Sequence, residues 1–116
     1  MQKSLYEGFE KYVEKSHYKK ELNQVMQYVM LLINESKLHP SSLEIQILGN
    51  HLSEMVNRAK KEEKLDKVDT EIFENVTPRS MEISQKIVHF IEKNIGPISD
   101  SEKYILSIHF ENMNLK

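Results

Sequence analysis

Apolar residues recur along this chain at intervals of three and four, the spacing that places them on one side of an α-helix. Leu5, Phe9, Tyr12 and Val13 form the first such stripe, on an otherwise polar segment. Leu22, Val25, Met26, Val29, Met30 and Ile33 form a stronger one, which Leu31 and Leu32 widen, predicting a helix buried on most sides. It is expected to stop near Leu38-His39-Pro40, because a residue before proline is pushed out of the helical region. A third helix runs from a cap at Ser41 or Ser42 to about Lys60, with Leu43, Ile47, Leu48, Met55, Val56 and Ala59 as its stripe. Gly49 lies inside that helix, at a cost of about 1 kcal/mol relative to alanine, which predicts a close backbone approach or a bend.

The charged run Lys60-Lys61-Glu62-Glu63-Lys64 reads as a solvated helix end, and a short, weaker helical piece covers about Thr70 to Asn75. Thr77-Pro78 has the form of an N-cap followed by proline in the first turn. The helix it opens carries Ile83, Ile87, Phe90 and Ile91 and ends at Gly96-Pro97, a C-cap glycine before a stop. Ser99-Asp100-Ser101-Glu102 reads as a capping box leading into Tyr104, Ile105, Ile108 and Phe110. There is neither strand alternation nor an internal repeat, so the pattern predicts an all-α helical bundle.

Composition narrows the function classes. A chain of 116 residues, 39% hydrophobic and 29% charged, fits one soluble domain with its own core. The absence of cysteine removes disulfides, thiolate metal sites and cysteine nucleophiles, and suits a reducing compartment, expected to be the cytoplasm. The N-terminal stretch mixes charges and lacks the apolar core of a secretory signal, and the run Val29 to Ile33 is far too short to span a membrane. With net charge −2 and a pI near 6.2, the chain lacks the basic excess of a nucleic-acid binder.

With no glycine-rich phosphate loop and no HExxH, the candidate chemistry lies in five histidines. His17, His39 and His89 have the context of surface or boundary residues. His51 stands at the edge of an apolar stripe, and Arg58 follows two helical turns later on the same face, with Glu54 between them. A guanidinium is the side chain best shaped for two-point contact with phosphate. His109 lies in the last helix, with Glu102 seven residues earlier on its face and able to orient the ring. Spacing alone also allows two histidines that are merely hydrogen-bonded at the rim of a core.

These residues carry a family resemblance. The stretch Ile45 to Asn114, about 70 of the 116 residues, resembles the PRD, the regulation domain of bacterial sugar phosphotransferase systems found in bgl/sac-type transcriptional antiterminators and in some transcriptional activators. Gly49-Asn50-His51-Leu52 with Arg58 resembles the family's first histidine motif. Met81-Glu82-Ile83 through Asn94-Ile95-Gly96 resembles its central helix. Ser99 to Phe110, above all Glu102-Lys103-Tyr104-Ile105-Leu106-Ser107-Ile108-His109-Phe110, resembles its second histidine motif. The helix from Leu22 to Ser36 extends the likeness as the family's first helix. Where family members commonly have aspartate before the first histidine, this chain has Asn50, and an amide holds an imidazolium less strongly than a carboxylate does.

The resemblance implies a compact five-helix bundle over residues 21–116 with an additional N-terminal helical segment, 1–20. It also implies a regulatory, non-enzymatic role without cofactor or metal, in which His51 and His109 accept phosphoryl groups. The donor would be the histidine phosphocarrier protein or a sugar-specific phosphotransferase component. Arg58, Glu102 and Asn50 would steady the phosphate or orient the rings. PRD modules usually form dimers, so a homodimer, or a hetero-oligomer with another PRD protein, is expected; direct contact with nucleic acid or membrane is not. Two rival readings remain at this level: a helical interaction module that has lost phosphorylation, and an enzyme or metal site built from His51, His109 and Glu102 or Glu54.

Overall fold

Side-chain caps at Ser41, Asp69 and Thr77 set the starts of three helical segments. The computed structural model describes the backbone of residues 2–114 and the side chains of residues 7–113. The described residues form five α-helices, α1 (Gln2–Lys15), α2 (Lys19–Glu35), α3 (Ser42–Lys61), α4 (Pro78–Asn94) and α5 (Ser101–Asn114), and one 3-10 turn at Thr70–Phe73. The architecture is all-α, as the apolar spacing predicts. Ser41 opens α3 with a reciprocal capping box: its hydroxyl accepts from the Glu44 amide at 3.2 Å, and Glu44 Oε1 accepts from the Ser41 amide at 2.8 Å. Thr77 caps α4 in the same sense, accepting from the Ser80 amide at 3.3 Å, with Pro78 at the first helical position. Asp69 accepts from the Glu71 amide at 3.1 Å and starts the 3-10 turn where a weaker helical piece was expected.

Helix α2 stops three residues short of the position that Pro40 dictates. Lys37 adopts a left-handed φ of 57°, and the Leu38 amide returns to the Ile33 carbonyl at 3.1 Å, closing the helix locally. Helix α3 ends in the same way, with Glu62 left-handed at φ 56°.

Helix α3 is the centre of the bundle and packs against α1, α2, α4 and α5, while α4 and α5 pack closely on each other. Leu48, Leu52, Met55, Ile87, Ile91, Leu106 and Phe110 are fully buried where these helices meet. The N-terminal helix contributes to the same core through Phe9, with Tyr12 and Val13 packed beside it. The side chain of Leu5 lies outside the described residues.

Two glycines are explained by close approach. A Cβ at Gly49 would meet the Tyr12 ring of α1 at 2.8 Å, so an aromatic ring, not a backbone, fills that space. Gly96 does not have positive φ, which corrects the expectation of a left-handed C-cap glycine. A Cβ there would come within 2.5 Å of the Ala59 carbonyl oxygen, so contact with α3 is what requires glycine.

The stripes of α3 and α5 also need correction. Leu43 and Ile47 are exposed, and Ile45 and Leu52 take the core positions. In α5 the buried face is Leu106, Phe110 and Met113 with Glu102 and Ser107, leaving Ile108 exposed. The polar members hid that face: Ser107 satisfies its hydroxyl on the Tyr104 carbonyl at 2.6 Å, and Glu102 is neutralised by a partner from α3. Glu102 therefore closes no capping box, and Ser99 Oγ is buried without a hydrogen-bond partner.

Candidate functional site

His51 and Arg58 are two turns apart on α3, and Glu102 and His109 are two turns apart on α5. Seven residues rise about 10.5 Å along a helix and return to nearly the same face. Because α3 and α5 run antiparallel here, each pair finds its partners on the other helix. His51 Nδ1 meets His109 Nε2 at 2.9 Å, with ring centroids 4.9 Å apart. One step along, Arg58 donates from Nε to Glu102 Oε2 at 2.7 Å and from Nη2 to Glu102 Oε1 at 2.8 Å. A diagonal closes the set: His51 Nε2 lies 3.9 Å from Glu102 Oε1. The four residues form one polar chain, Arg58–Glu102–His51–His109, between α3 and α5.

The electrostatics follow from burial. The Glu102 side chain is 0% exposed; burial alone pushes a carboxyl up, but His51 and Arg58 together outweigh it and hold this one below its ordinary value. The two-point bond with Glu102 raises the Arg58 guanidinium above its usual range. Burial, followed by the charge on a protonated His51, pushes the His109 imidazole down from 6.5 to about 4. His109 is thus neutral at physiological pH. The protons are assigned by satisfying these partners: His51 turns Nε2–H toward the carboxylate, and its Nδ1 accepts from His109 Nε2–H. The remaining lone pair of the cluster then sits on His109 Nδ1.

Access differs between the two rings. His51 is 8% exposed, whereas His109 is half-buried and lines a surface hollow with Glu44, Ile47, Ile108 and Asn112. Ile47 and Ile108 are 47% and 39% exposed, and Leu43, one turn before Ile47, is 64% exposed, so an apolar patch adjoins the more exposed of the two rings.

Four of the five candidate site residues therefore come together: His51, His109, Arg58 and Glu102. Asn50 is exposed, and no hydrogen bond among the described residues ties it to either imidazole. Glu54 is exposed, as are His17, His39 and His89. Among the described residues no three histidine, aspartate or glutamate side chains are grouped to hold a metal ion, and no helix is long and apolar enough to cross a membrane. Pairing each histidine with the charged residue on its own helix missed the cross-helix contacts. The available signal was the order His–Arg on one helix and Glu–His on the other at equal spacing, which antiparallel packing turns into two facing pairs.

The family model for the PRD domain matches residues 36–113. This chain belongs to the PRD family. It is also similar to the crystal structure of a PRD-containing transcription regulator from Lactobacillus casei, with a TM-score of 0.84 and 33% identity over 94% of each chain. That coverage extends well beyond the family model, so the likeness takes in α1 and α2 of this PRD protein as well. No curated protein matches the chain significantly. As a PRD, the chain is a regulatory domain related to the sugar phosphotransferase system.

Proposed function

We propose that this PRD is a phosphorylation-controlled switch in which His51 or His109 accepts a phosphoryl group from the histidine phosphocarrier protein or a sugar-specific phosphotransferase component. The observation that carries the reading is the 2.9 Å contact between the two imidazoles, backed by the buried Arg58–Glu102 pair. A neutral imidazole is a competent nucleophile toward phosphorus, and the depressed His109 is neutral throughout the physiological range. Phosphoryl transfer needs chiefly positioning and charge stabilisation. The Glu102 carboxylate positions His51, and Arg58 keeps that carboxylate ionised. A phosphoryl group on His51 competes with Glu102 for the guanidinium, which is how Arg58 steadies the anion.

The output is control of assembly or partner binding in transcription regulation, in line with the regulator from Lactobacillus casei. The exposed apolar patch of Leu43, Ile47 and Ile108 adjoins His109, and a phosphoryl group adds nearly two negative charges at its edge. Two unit charges about 4 Å apart interact by roughly 4 kcal/mol at an effective dielectric of 20, enough to reverse a two-state population. Such a switch acts in the cytoplasm, where the phosphoryl donors are.

The test is incubation with phosphoenolpyruvate and the phosphotransferase proteins, followed by intact-protein mass at neutral pH. An acid-labile gain that is lost when both His51 and His109 are replaced by alanine supports the reading. The absence of any gain with all cognate donors overturns it. The apolar patch and the exposed Asn50 favour one second reading, a PRD-fold interaction module without phosphorylation, for which normal self-association with no phosphate uptake is the expected signature.

A further inference from the structure

We propose that His51 and His109 are alternative acceptors for a single phosphoryl group, so that the pair never carries two at once. The inference deepens the phosphorylation reading and rests on it for the identity of the donor. Its own basis is the geometry of the pair. The facing nitrogens are 2.9 Å apart, so a phosphorus atom bonded to either one would need the space that the other ring occupies. Attack therefore comes from an outer nitrogen while the inner nitrogens stay in contact: from His109 Nδ1 in the proton arrangement above, or from His51 Nε2 in the reversed arrangement, where both rings exchange tautomer and His51 Nδ1–H donates to His109 Nε2.

The proton balance then disables the second ring. The lone pair of the outer nitrogen forms the new nitrogen–phosphorus bond as the corresponding bond in the donor phosphohistidine breaks. The donor ring, protonated on its other nitrogen, leaves as neutral imidazole. The acceptor ring becomes cationic and passes its inner proton across the 2.9 Å contact to the partner imidazole. That partner is now an imidazolium with both nitrogens protonated, has no lone pair to attack with, and is held by the anion beside it.

Charge acts in the same direction. A phosphoryl group brings nearly two negative charges to rings whose centroids are 4.9 Å apart. The Glu102 carboxylate already lies 3.9 Å from His51 Nε2, and Arg58 is engaged with that carboxylate at two points. A second dianion would enter a half-buried site already holding one, where screening by water and salt is weak.

The experiment uses a parent protein in which the exposed His17, His39 and His89 are replaced by glutamine, and phosphoramidate as a small-molecule phosphoryl donor that needs no partner protein. Intact mass at neutral pH gives the number of phosphoryl groups per chain, and fragmentation locates them. The expected result is one group on the parent at saturation, shared between the two positions across the population. His51→Gln and His109→Gln variants each take one, and the double variant takes none. Two groups on one parent molecule overturn the proposal without reference to any variant. So does a parent that takes none, or a single variant that takes none while its circular dichroism is unchanged, because that pattern marks one ordinary acceptor. A parallel reaction with phosphoenolpyruvate and the phosphotransferase proteins separates the two readings. One group from phosphoramidate and none from the protein donors leaves the exclusion intact and removes the phosphotransferase link.

Discussion

Arg58 of α3 holds Glu102 of α5 through two parallel hydrogen bonds, of 2.7 and 2.8 Å, with the carboxylate wholly removed from solvent. A buried ion pair of this kind adds little over a well-packed apolar pair, but removing one member leaves a buried charge uncompensated. Arg58→Met is therefore expected to lower the unfolding free energy by about 3–5 kcal/mol at neutral pH. The double variant Arg58→Met/Glu102→Leu should recover most of that loss, because no charge is stranded. Urea denaturation of the three proteins checks both statements. A loss below about 1 kcal/mol in the single variant would show that Glu102 finds another partner.

The same cluster makes stability depend on pH with a definite sign. His109 ionises at about 4 in the folded protein against 6.5 for the free side chain. Between those values the unfolded chain binds the extra proton, so stability rises with pH across this window and is fully present only above it. The gap corresponds to roughly 3 kcal/mol between the two ends. Glu102, held below 4.5 when folded, acts in the same direction at lower pH, since its contribution is lost as pH falls through the folded value. Urea midpoints taken from above neutrality down to pH 4 should fall steadily, and His109→Gln should flatten the part between 6.5 and 4. An unchanged slope in that variant would remove His109 as the cause.

How much of this was legible in the sequence depends on which interactions each residue needed. Stretches whose burial is purely apolar could be read directly: Leu22, Val25, Met26, Val29 and Ile33 on α2, and Ile83, Ile87 and Ile91 on α4, all face the core as their spacing predicts. The Ser41 and Thr77 caps were equally readable, because a cap is a local bond. Helix α5 was not, because its core face includes Glu102 and Ser107, whose polarity is cancelled by contacts made after folding. Ile108, apolar and exposed, then looked like core. At the site, the histidines and their charged companions could be named from motif and spacing. Their partners could not, because only the antiparallel packing of α3 on α5 decides that His51 meets His109 and Arg58 meets Glu102.

Gly49, inside α3, and Gly96, packed against it, should respond differently to alanine. At Gly96 the new Cβ would fall 2.5 Å from a backbone carbonyl oxygen, Ala59 O, which cannot move without shifting α3. At Gly49 it would meet the side-chain ring of Tyr12 at 2.8 Å, which can tilt, and alanine restores about 1 kcal/mol of helix propensity at that mid-helix position. Gly96→Ala is expected to cost about 2–3 kcal/mol and Gly49→Ala less than about 1 kcal/mol. Thermal unfolding of the two variants side by side decides it, and equal losses would mean that the Tyr12 ring is as rigid as the backbone.

Ile47 and Ile108 are exposed beside the half-buried His109, whereas Leu106, two residues before Ile108, is fully buried. Leu106→Ala should therefore destabilise the fold by about 2–5 kcal/mol through loss of core contacts. Ile47→Glu and Ile108→Glu should cost less, about 1 kcal/mol, because 47% and 39% of these residues already face solvent. If the patch mediates assembly, each glutamate also weakens self-association, as a phosphoryl group on the neighbouring histidine would by the same electrostatic route. Sedimentation velocity across a concentration series reads this directly. Association that falls in both glutamate variants, while unfolding stays cooperative and far less affected than in Leu106→Ala, assigns the patch to the assembly face. Association unchanged by either substitution places the assembly face elsewhere on the bundle and leaves the histidine pair acting through the α3–α5 contact alone.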